Sequence, residues 1–430
     1  MGLMKSLDII VLIVNSFNWL FVAYIIKKRY GYNNIGVFYL LFYSFLSVLS
    51  IHIYLTMVPK EIPCEGISLL PLIYMELFIV LFSTLLVKHD TRDKLLIQPP
   101  SLVFNVLCIV VIILSLLEVR DILQNFAVGF TQLLVDDEYG AGLYDVLSRE
   151  VVHSARDSGP LQYLAVLSNQ AEAIAPVLFL FYLTRPKRNI LITIGLALAT
   201  FITFAFALST GRRSSIIQQL FSMGVMFLYL RHYYSTKVIK YIRPVFLSVI
   251  GIIMTGFMFL SISRANSFGG SVVSFFERYA GQSFLYFGKY GFDNGEIRNG
   301  DRTFPLVKSI FTKDVARSYY DRESKYTKMK INESTFVTFV GDFVFDYGII
   351  GAAIVLFFIY LLLRQLLIGC RKILYFDQVL IVYLLINILN GFYLYPLCDF
   401  AGNMFFFSLI ILSMFFKSFR IKTSPKSIEC

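Results

Sequence analysis

Long apolar runs alternate with polar breaks along almost the whole chain. Eleven runs approach or exceed the roughly 20 residues needed to cross a bilayer: 7–26, 35–56, 67–87, 102–119, 164–183, 190–208, 214–230, 245–262, 344–363, 378–397 and 400–416. They are continuous rather than alternating, which predicts helices and excludes a transmembrane β-barrel. The run at 214–230 is short and carries Gln218 and Gln219. Two of the polar breaks are long. Break 120–163 is acidic, and its Leu123, Phe126, Phe130, Leu133 and Leu134 recur at helical spacing, predicting a segment that lies in the membrane interface. Break 263–335 is basic and aromatic; Arg264 to Thr335 holds 12 Lys/Arg, 8 Asp/Glu and 14 Phe/Tyr. Within it, Val272 to Tyr290 predicts an aromatic helix, and Gly281, Gly291, Gly295 and Gly300 with Asn294 and Asn299 mark turns. Phe275, Tyr279, Phe287 and Tyr290 suit either a small core or stacking on sugar rings.

Composition strengthens this reading. Of 430 residues, 57% are hydrophobic and 16% charged, against about 25% charged in soluble domains. The expected fold class is an all-α polytopic membrane protein of about 11 transmembrane helices, one integral membrane domain over 1–430 with a large outer loop. The net charge of +11 is explained without nucleic acid. Breaks 27–34, 88–101, 184–189, 231–244, 364–377 and the tail 417–430 each carry three or four Lys/Arg, whereas the N-terminal six residues and break 57–66 carry one each. By the positive-inside rule the N-terminus is outside, the C-terminus is cytoplasmic, and both long breaks face outward. Leu7 to Ile26 is too long for a signal h-region and ends in Lys27-Lys28-Arg29, so it reads as a first span rather than a cleaved leader. The five Cys lack CxxC spacing, which removes zinc and redox motifs; Cys64 and Cys398 fall on the same predicted side and can pair.

Three polar clusters converge on the predicted outer side. Ser209-Thr210-Gly211-Arg212-Arg213-Ser214-Ser215 opens the span at 214–230. Paired arginines at a helix N-terminus make an anion site suited to a lipid phosphate or diphosphate, or they snorkel to headgroups. Asn332-Glu333-Ser334-Thr335 leads into Gly341-Asp342 and Asp346-Tyr347-Gly348. Asp342 and Asp346, four apart, share one helix face; one suits a general base, and both suit ion pairs with Arg212 or Arg213. Tyr395-Pro396, Cys398-Asp399 and Asn403 form the third cluster, with Asp399 at a short turn. Glu76 and Glu172 sit inside spans, where carboxylates mark either function or a bridge between helices. Asp136-Asp137-Glu138 reads as solvated surface rather than a metal site, and no phosphate-loop, metalloprotease, nucleophile-elbow or dinucleotide fingerprint stands in a usable context.

The many spans, the Ser-Thr-Gly-Arg-Arg motif opening a helix, the large late loop and Asp-Tyr-Gly-Ile-Ile-Gly at Asp346 to Gly351 together resemble the O-antigen polymerases (the Wzy family) of the bacterial inner membrane, with an architecture like that of C-type glycosyltransferases. The resemblance implies glycosyl transfer between polyprenyl-diphosphate-linked oligosaccharides at the outer membrane face, without metal or nucleotide cofactor, alongside a chain-length regulator protein as possible partner. Arg212 and Arg213 match the arginine motif and would hold the donor diphosphate, with Arg264 or Arg278 as further phosphate contacts; Asp399 and Tyr279 would contact glycan. The chain departs from the related O-antigen ligases, whose His-Asn pair is replaced here by Asn332-Glu333, so Glu333, Asp342 and Asp346 become the candidate bases. It also lacks an Arg-ten-residues-Gly repeat in the outer loops. The alternatives are an O-antigen ligase and a lipid-linked oligosaccharide flippase.

Overall fold

The computed structural model describes residues 2–32, 34–58, 62, 64–92, 94–125, 159–209, 213–240, 244, 251, 255, 272–333, 335–369 and 372–420. Most of the predicted span 245–262, most of the acidic break 120–163, and Arg212 and Arg264 lie outside these residues.

The helices are α1 (Gly2–Tyr30), α2 (Ile35–Met57), α3 (Leu69–Lys88), α4 (Ser101–Leu117), α5 (Gly159–Tyr182), α6 (Ile190–Ser209), α7 (Arg213–Leu230), α8 (Val272–Tyr290), the short α9 (Pro305–Phe311) and α10 (Tyr319–Lys325), α11 (Thr338–Leu367), α12 (Phe376–Leu389) and α13 (Asp399–Lys417). Seven helices among the described residues are long and apolar enough to cross a membrane. The protein is therefore an all-α polytopic membrane protein, apart from one short ladder in which β1 (Leu95–Ile97) pairs in parallel with β2 (Ile373–Tyr375), Leu95 opposite Ile373. Three-residue strands leave no periodicity for sequence to reveal.

The chain forms two compact units, one of Met1–Asp90, Val273–Ile368 and Leu384–Phe406, the other of Thr91–Val272, Gly369–Tyr383 and Phe407–Cys430. In the first unit α1, α2 and α3 pack on one another and α11 packs on α3. Trp19 stacks on Tyr43 with centroids 5.6 Å apart and meets the edge of Phe284. Several polar groups inside these helices are paired, as the scarcity of water in a bilayer favours: Asn15 donates to Ser47 Oγ, Asn18 to Glu76 Oε2, Tyr39 to Asn390 Oδ1, and Tyr43 to the Leu389 carbonyl. Glu76 thus bridges α3 to α1.

In the second unit α4, α5, α6 and α7 pack together around an aromatic cluster of Phe104, Phe181, Phe376 and Phe416. Loops with the same predicted sidedness meet here. The β1–β2 ladder joins 88–101 to 364–377, and Tyr233 donates to the carbonyls of Thr91 and Lys94. Arg185 donates to the Pro99 carbonyl.

Two helices differ from expectation in a way that builds the site. The span expected at 378–397 is helical only to Leu389. Gly391 lies against the long helix, where an added Cβ would stand 2.8 Å from the Phe339 Cβ. The segment there is a run of bends and turns rather than helix, and its carbonyls cap α11: Val337 and Thr338 N–H donate to Tyr393 O, and Phe339 N–H to Gly391 O. Helix N-terminal N–H groups lack internal partners, and this segment supplies them. The second departure is a break in α11 at Gly348 (φ 70°, ψ 176°), a conformation essentially reserved for glycine. Before the break, Thr338 to Asp346 is buried at every position; after it, Ile350, Ile354, Phe357 and Phe358 are exposed in the manner of a lipid-facing stripe. Asp342 and Asp346 are thus surrounded by protein, which is what carboxylates at that depth require.

Candidate functional site

The polar insert folds back onto the start of α11 through a knot of ion pairs. Its arginines are presented by a tight turn in which Asn299 (φ 51°) and Gly300 (φ 81°) both adopt left-handed backbone, the dipeptide that such turns favour. Arg298 and Arg302 flank this turn, and Arg322 lies on α10, whose N-terminus is fixed by a capping box between Ser318 and Asp321.

Arg298 pairs with three carboxylates: Nη1 to Glu333 Oε1 at 2.6 Å, Nε to Asp346 Oδ1 at 2.7 Å and Nη2 to Asp342 Oδ1 at 3.4 Å. Arg302 reaches Glu333 Oε2 and Asp342 Oδ1, each at 2.9 Å. Arg322 joins Glu333 Oε2 at 2.9 Å to Asp399 Oδ1 at 2.8 Å. Further hydrogen bonds reach the aspartates. Asp346 Oδ2 accepts from the Arg302 and Thr303 N–H groups and the Thr303 hydroxyl. Asp342 Oδ2 accepts from Tyr395 N–H at 2.7 Å. Asn403 ties the Thr303 and Leu397 carbonyls together.

Arg298, Arg302, Arg322, Glu333, Asp342 and Asp346 are all buried, three positive charges against three negative. A buried ion pair repays its desolvation only when its charges are matched and supported by hydrogen bonds; here most contacts are hydrogen bonds, while Arg298 Nε with Asp346 Oδ1 and Arg302 Nε with Asp342 Oδ1 meet as ion pairs alone. Burial alone would raise the Glu333 carboxyl; Arg298, Arg302 and Arg322 around it reverse this and hold it well below the usual carboxylate range. Burial and its carboxylate neighbours act oppositely on Arg302 and Arg322, and the carboxylates prevail, holding both guanidiniums above their ordinary range. A further buried carboxylate, Asp301, accepts from Lys308, Lys325 and the Tyr326 hydroxyl, which outweigh burial and keep it low.

These depressed carboxylates set a pH dependence. A group whose folded pKa is lowered contributes stability that is present above its unfolded pKa, about 4.3 for Glu and 3.9 for Asp, and lost as pH falls through the folded value. For these groups the detergent-solubilised protein is expected to melt at progressively lower temperatures as pH falls below about 4. Melting curves at constant ionic strength check this.

One carboxylate in the network remains open. Asp399 is the first residue of α13, with its side chain 47% exposed. Its N–H donates to Arg302 O, and its φ of 65° is left-handed, an arrangement uncommon outside glycine and concentrated at functional sites. Beside it, exposed Arg317 lies over the Phe400 ring at 5.1 Å.

The structure therefore unites Glu333, Asp342, Asp346 and Asp399. The partners of Asp342 and Asp346 are Arg298 and Arg302, which sequence reasoning did not single out; the turn signal at Asn299–Gly300 between them was the available clue. Arg213 begins α7, Arg278 and Tyr279 lie in α8, and the side chains of all three fall outside the described residues. Phe287 is core, packed near Phe345, and Tyr290 stacks with Tyr286. Cys64 and Cys398 are free thiols rather than a disulfide; burial pushes Cys64 up to about 12, so it behaves as a small core residue. Glu172 is buried in α5. Comparison with protein families, curated proteins and solved structures finds no match.

Proposed function

We propose that the protein is a glycosyltransferase that polymerises lipid-linked oligosaccharide repeat units into O-antigen or a similar surface polysaccharide. In this reading about eleven helices cross the bacterial inner membrane, with the N-terminus and the insert outside and the C-terminus in the cytoplasm. The observation that carries it is the ion network binding the polar insert to α11, with Asp399 as its one half-exposed carboxylate. A rigid polar platform joined to membrane helices suits a substrate with a lipid tail and a large hydrophilic head.

The growing glycan on polyprenyl diphosphate is the donor, and a single lipid-linked repeat is the acceptor. We assign the base to Asp399, since the oxygens of Glu333, Asp342 and Asp346 are engaged by arginines and backbone N–H groups; those three act as positioning residues. An acceptor hydroxyl gives its proton to Asp399 while its oxygen bonds to the anomeric carbon. The bond from that carbon to the diphosphate breaks, and the electron pair leaves with the diphosphate. Arg212 and Arg213, with Arg264 or Arg278, stabilise that leaving charge, an electrostatic contribution to catalysis, and Tyr279 offers a stacking face for sugar. No metal or nucleotide sugar enters the scheme, and a chain-length regulator protein fits as a partner.

The test is the surface glycan of the native host carrying Arg212→Ala or Arg213→Ala, with membrane levels of the protein measured. The expected result is a ladder that collapses to lipid core bearing a single repeat. Bare core with no repeat would point instead to ligation or flipping, and an unchanged ladder in both variants would remove these arginines from the mechanism.

A further inference from the structure

Arg185 stands just past the end of α5 and is 7% exposed. The other buried arginines among the described residues, Arg298, Arg302 and Arg322, each hold carboxylates. Arg185 holds none. Its Nη1 donates to Asn105 Oδ1 at 2.9 Å and its Nη2 to the Pro99 carbonyl at 3.2 Å, both neutral acceptors, and its guanidinium lies 4.7 Å from the centre of the Phe104 ring and 5.6 Å from that of Tyr182. Phe104 also packs on Phe376, whose neighbour Asp377 gives its carboxylate to Arg420, so that acid is already committed. Burial draws the Arg185 pKa down, and the groups opposing it are the Tyr182 phenol and the Cys108 thiol rather than an acid.

Burying an ion costs several kcal/mol even after relaxation, and two neutral hydrogen bonds with ring contacts offset only part of that. A guanidinium has five N–H donors, so donors remain for an anion. The adjoining residues present the complementary deficit. Gln98 donates to Thr184 Oγ1 at 3.0 Å, while its own Oε1 is buried without a partner. Lys187 and Arg188, two and three residues on, are exposed.

We propose that Arg185, Asn105 and Gln98 form a binding site for a phosphate whose substituent carries a hydroxyl, the chemistry of a phosphatidylglycerol headgroup. The phosphate oxygens take the free guanidinium donors, the headgroup hydroxyl donates to Gln98 Oε1, and Lys187 and Arg188 add a screened attraction for an anionic membrane surface. The site is independent of the proposed glycosyl transfer.

The experiment uses the full chain, purified and delipidated in detergent, with phosphatidylglycerol, phosphatidylcholine or inorganic phosphate added in molar excess. Wild type is expected to melt roughly 2–4 °C higher with phosphatidylglycerol and to carry it in native mass spectra, with no shift from phosphatidylcholine. Inorganic phosphate is expected to leave the melting temperature unchanged; an equal shift from it would contradict a lipid ligand. Arg185→Gln is expected to lose the shift, and Arg231→Gln, at an exposed arginine outside the site, to keep it. A shift of equal size in Arg185→Gln would overturn the site. So would a wild type that responds alike to both lipids, a readout that holds even if the Arg185 variant does not accumulate.

Discussion

Glu333→Ala is expected to strip the folded protein from the membrane. Glu333 is the carboxylate that the three arginines of the knot share, with Arg298, Arg302 and Arg322 at 2.6, 2.9 and 2.9 Å. Its removal leaves three desolvated guanidiniums short of a partner and changes the core's balance to net positive. Breaking one buried pair typically costs about 3–5 kcal/mol, against a total stability of roughly 5–15 kcal/mol. Glu333→Gln keeps the shape but not the charge and should fare little better, whereas a surface carboxylate such as Asp321 should tolerate alanine with a loss of about 1 kcal/mol or less. Membrane abundance and detergent melting temperature report the outcome. Wild-type values in Glu333→Ala would mean that the network contributes little to holding the insert in place.

Asp399→Asn should behave in the opposite manner, leaving the fold intact while abolishing function. Its side chain is half-exposed and meets one arginine of the knot, so the loss of charge is screened by solvent. Asparagine can still accept a hydrogen bond from Arg322 and also tolerates the left-handed backbone at this position. What it cannot do is take a proton from a sugar hydroxyl, and general-base catalysis contributes roughly 10²–10⁴ in rate. The expected result is protein at wild-type abundance, with polymer synthesis reduced by about that factor. The pair of variants separates positioning from chemistry in the proposed reaction, in which Glu333 acts through the arginines and Asp399 on substrate.

The spans were legible in the sequence wherever length and hydropathy sufficed, because a bilayer forces the backbone to satisfy itself within each segment. Seven such helices stand among the described residues. The helix at Val272–Tyr290 and the turn at Asn299–Gly300 also followed from local signals. The pairing of that turn with α11 did not, because contacts such as Arg298 with Asp342, 44 residues apart, depend on tertiary folding that leaves no periodic trace. The same limit hid the bent, non-helical segment after Leu389. Its residues are as apolar as a helix, and only the nearness of Gly391 to Phe339 and the capping of α11 by its carbonyls set it apart. The acidic residues of the site were conspicuous because carboxylates near a membrane are expensive, whereas their arginine partners were concealed among the 12 basic residues of a polar insert.

The most direct test of the proposed polymerase is elongation by the purified protein in lipid nanodiscs, supplied with the lipid-linked repeat unit extracted from a host lacking this gene. Wild type should convert the single repeat into a ladder of lipid-linked oligomers, while an equal amount of folded Asp399→Asn leaves it unextended. A folded wild type that produces no ladder, or an Asp399→Asn variant that extends the repeat at the wild-type rate, would contradict the account.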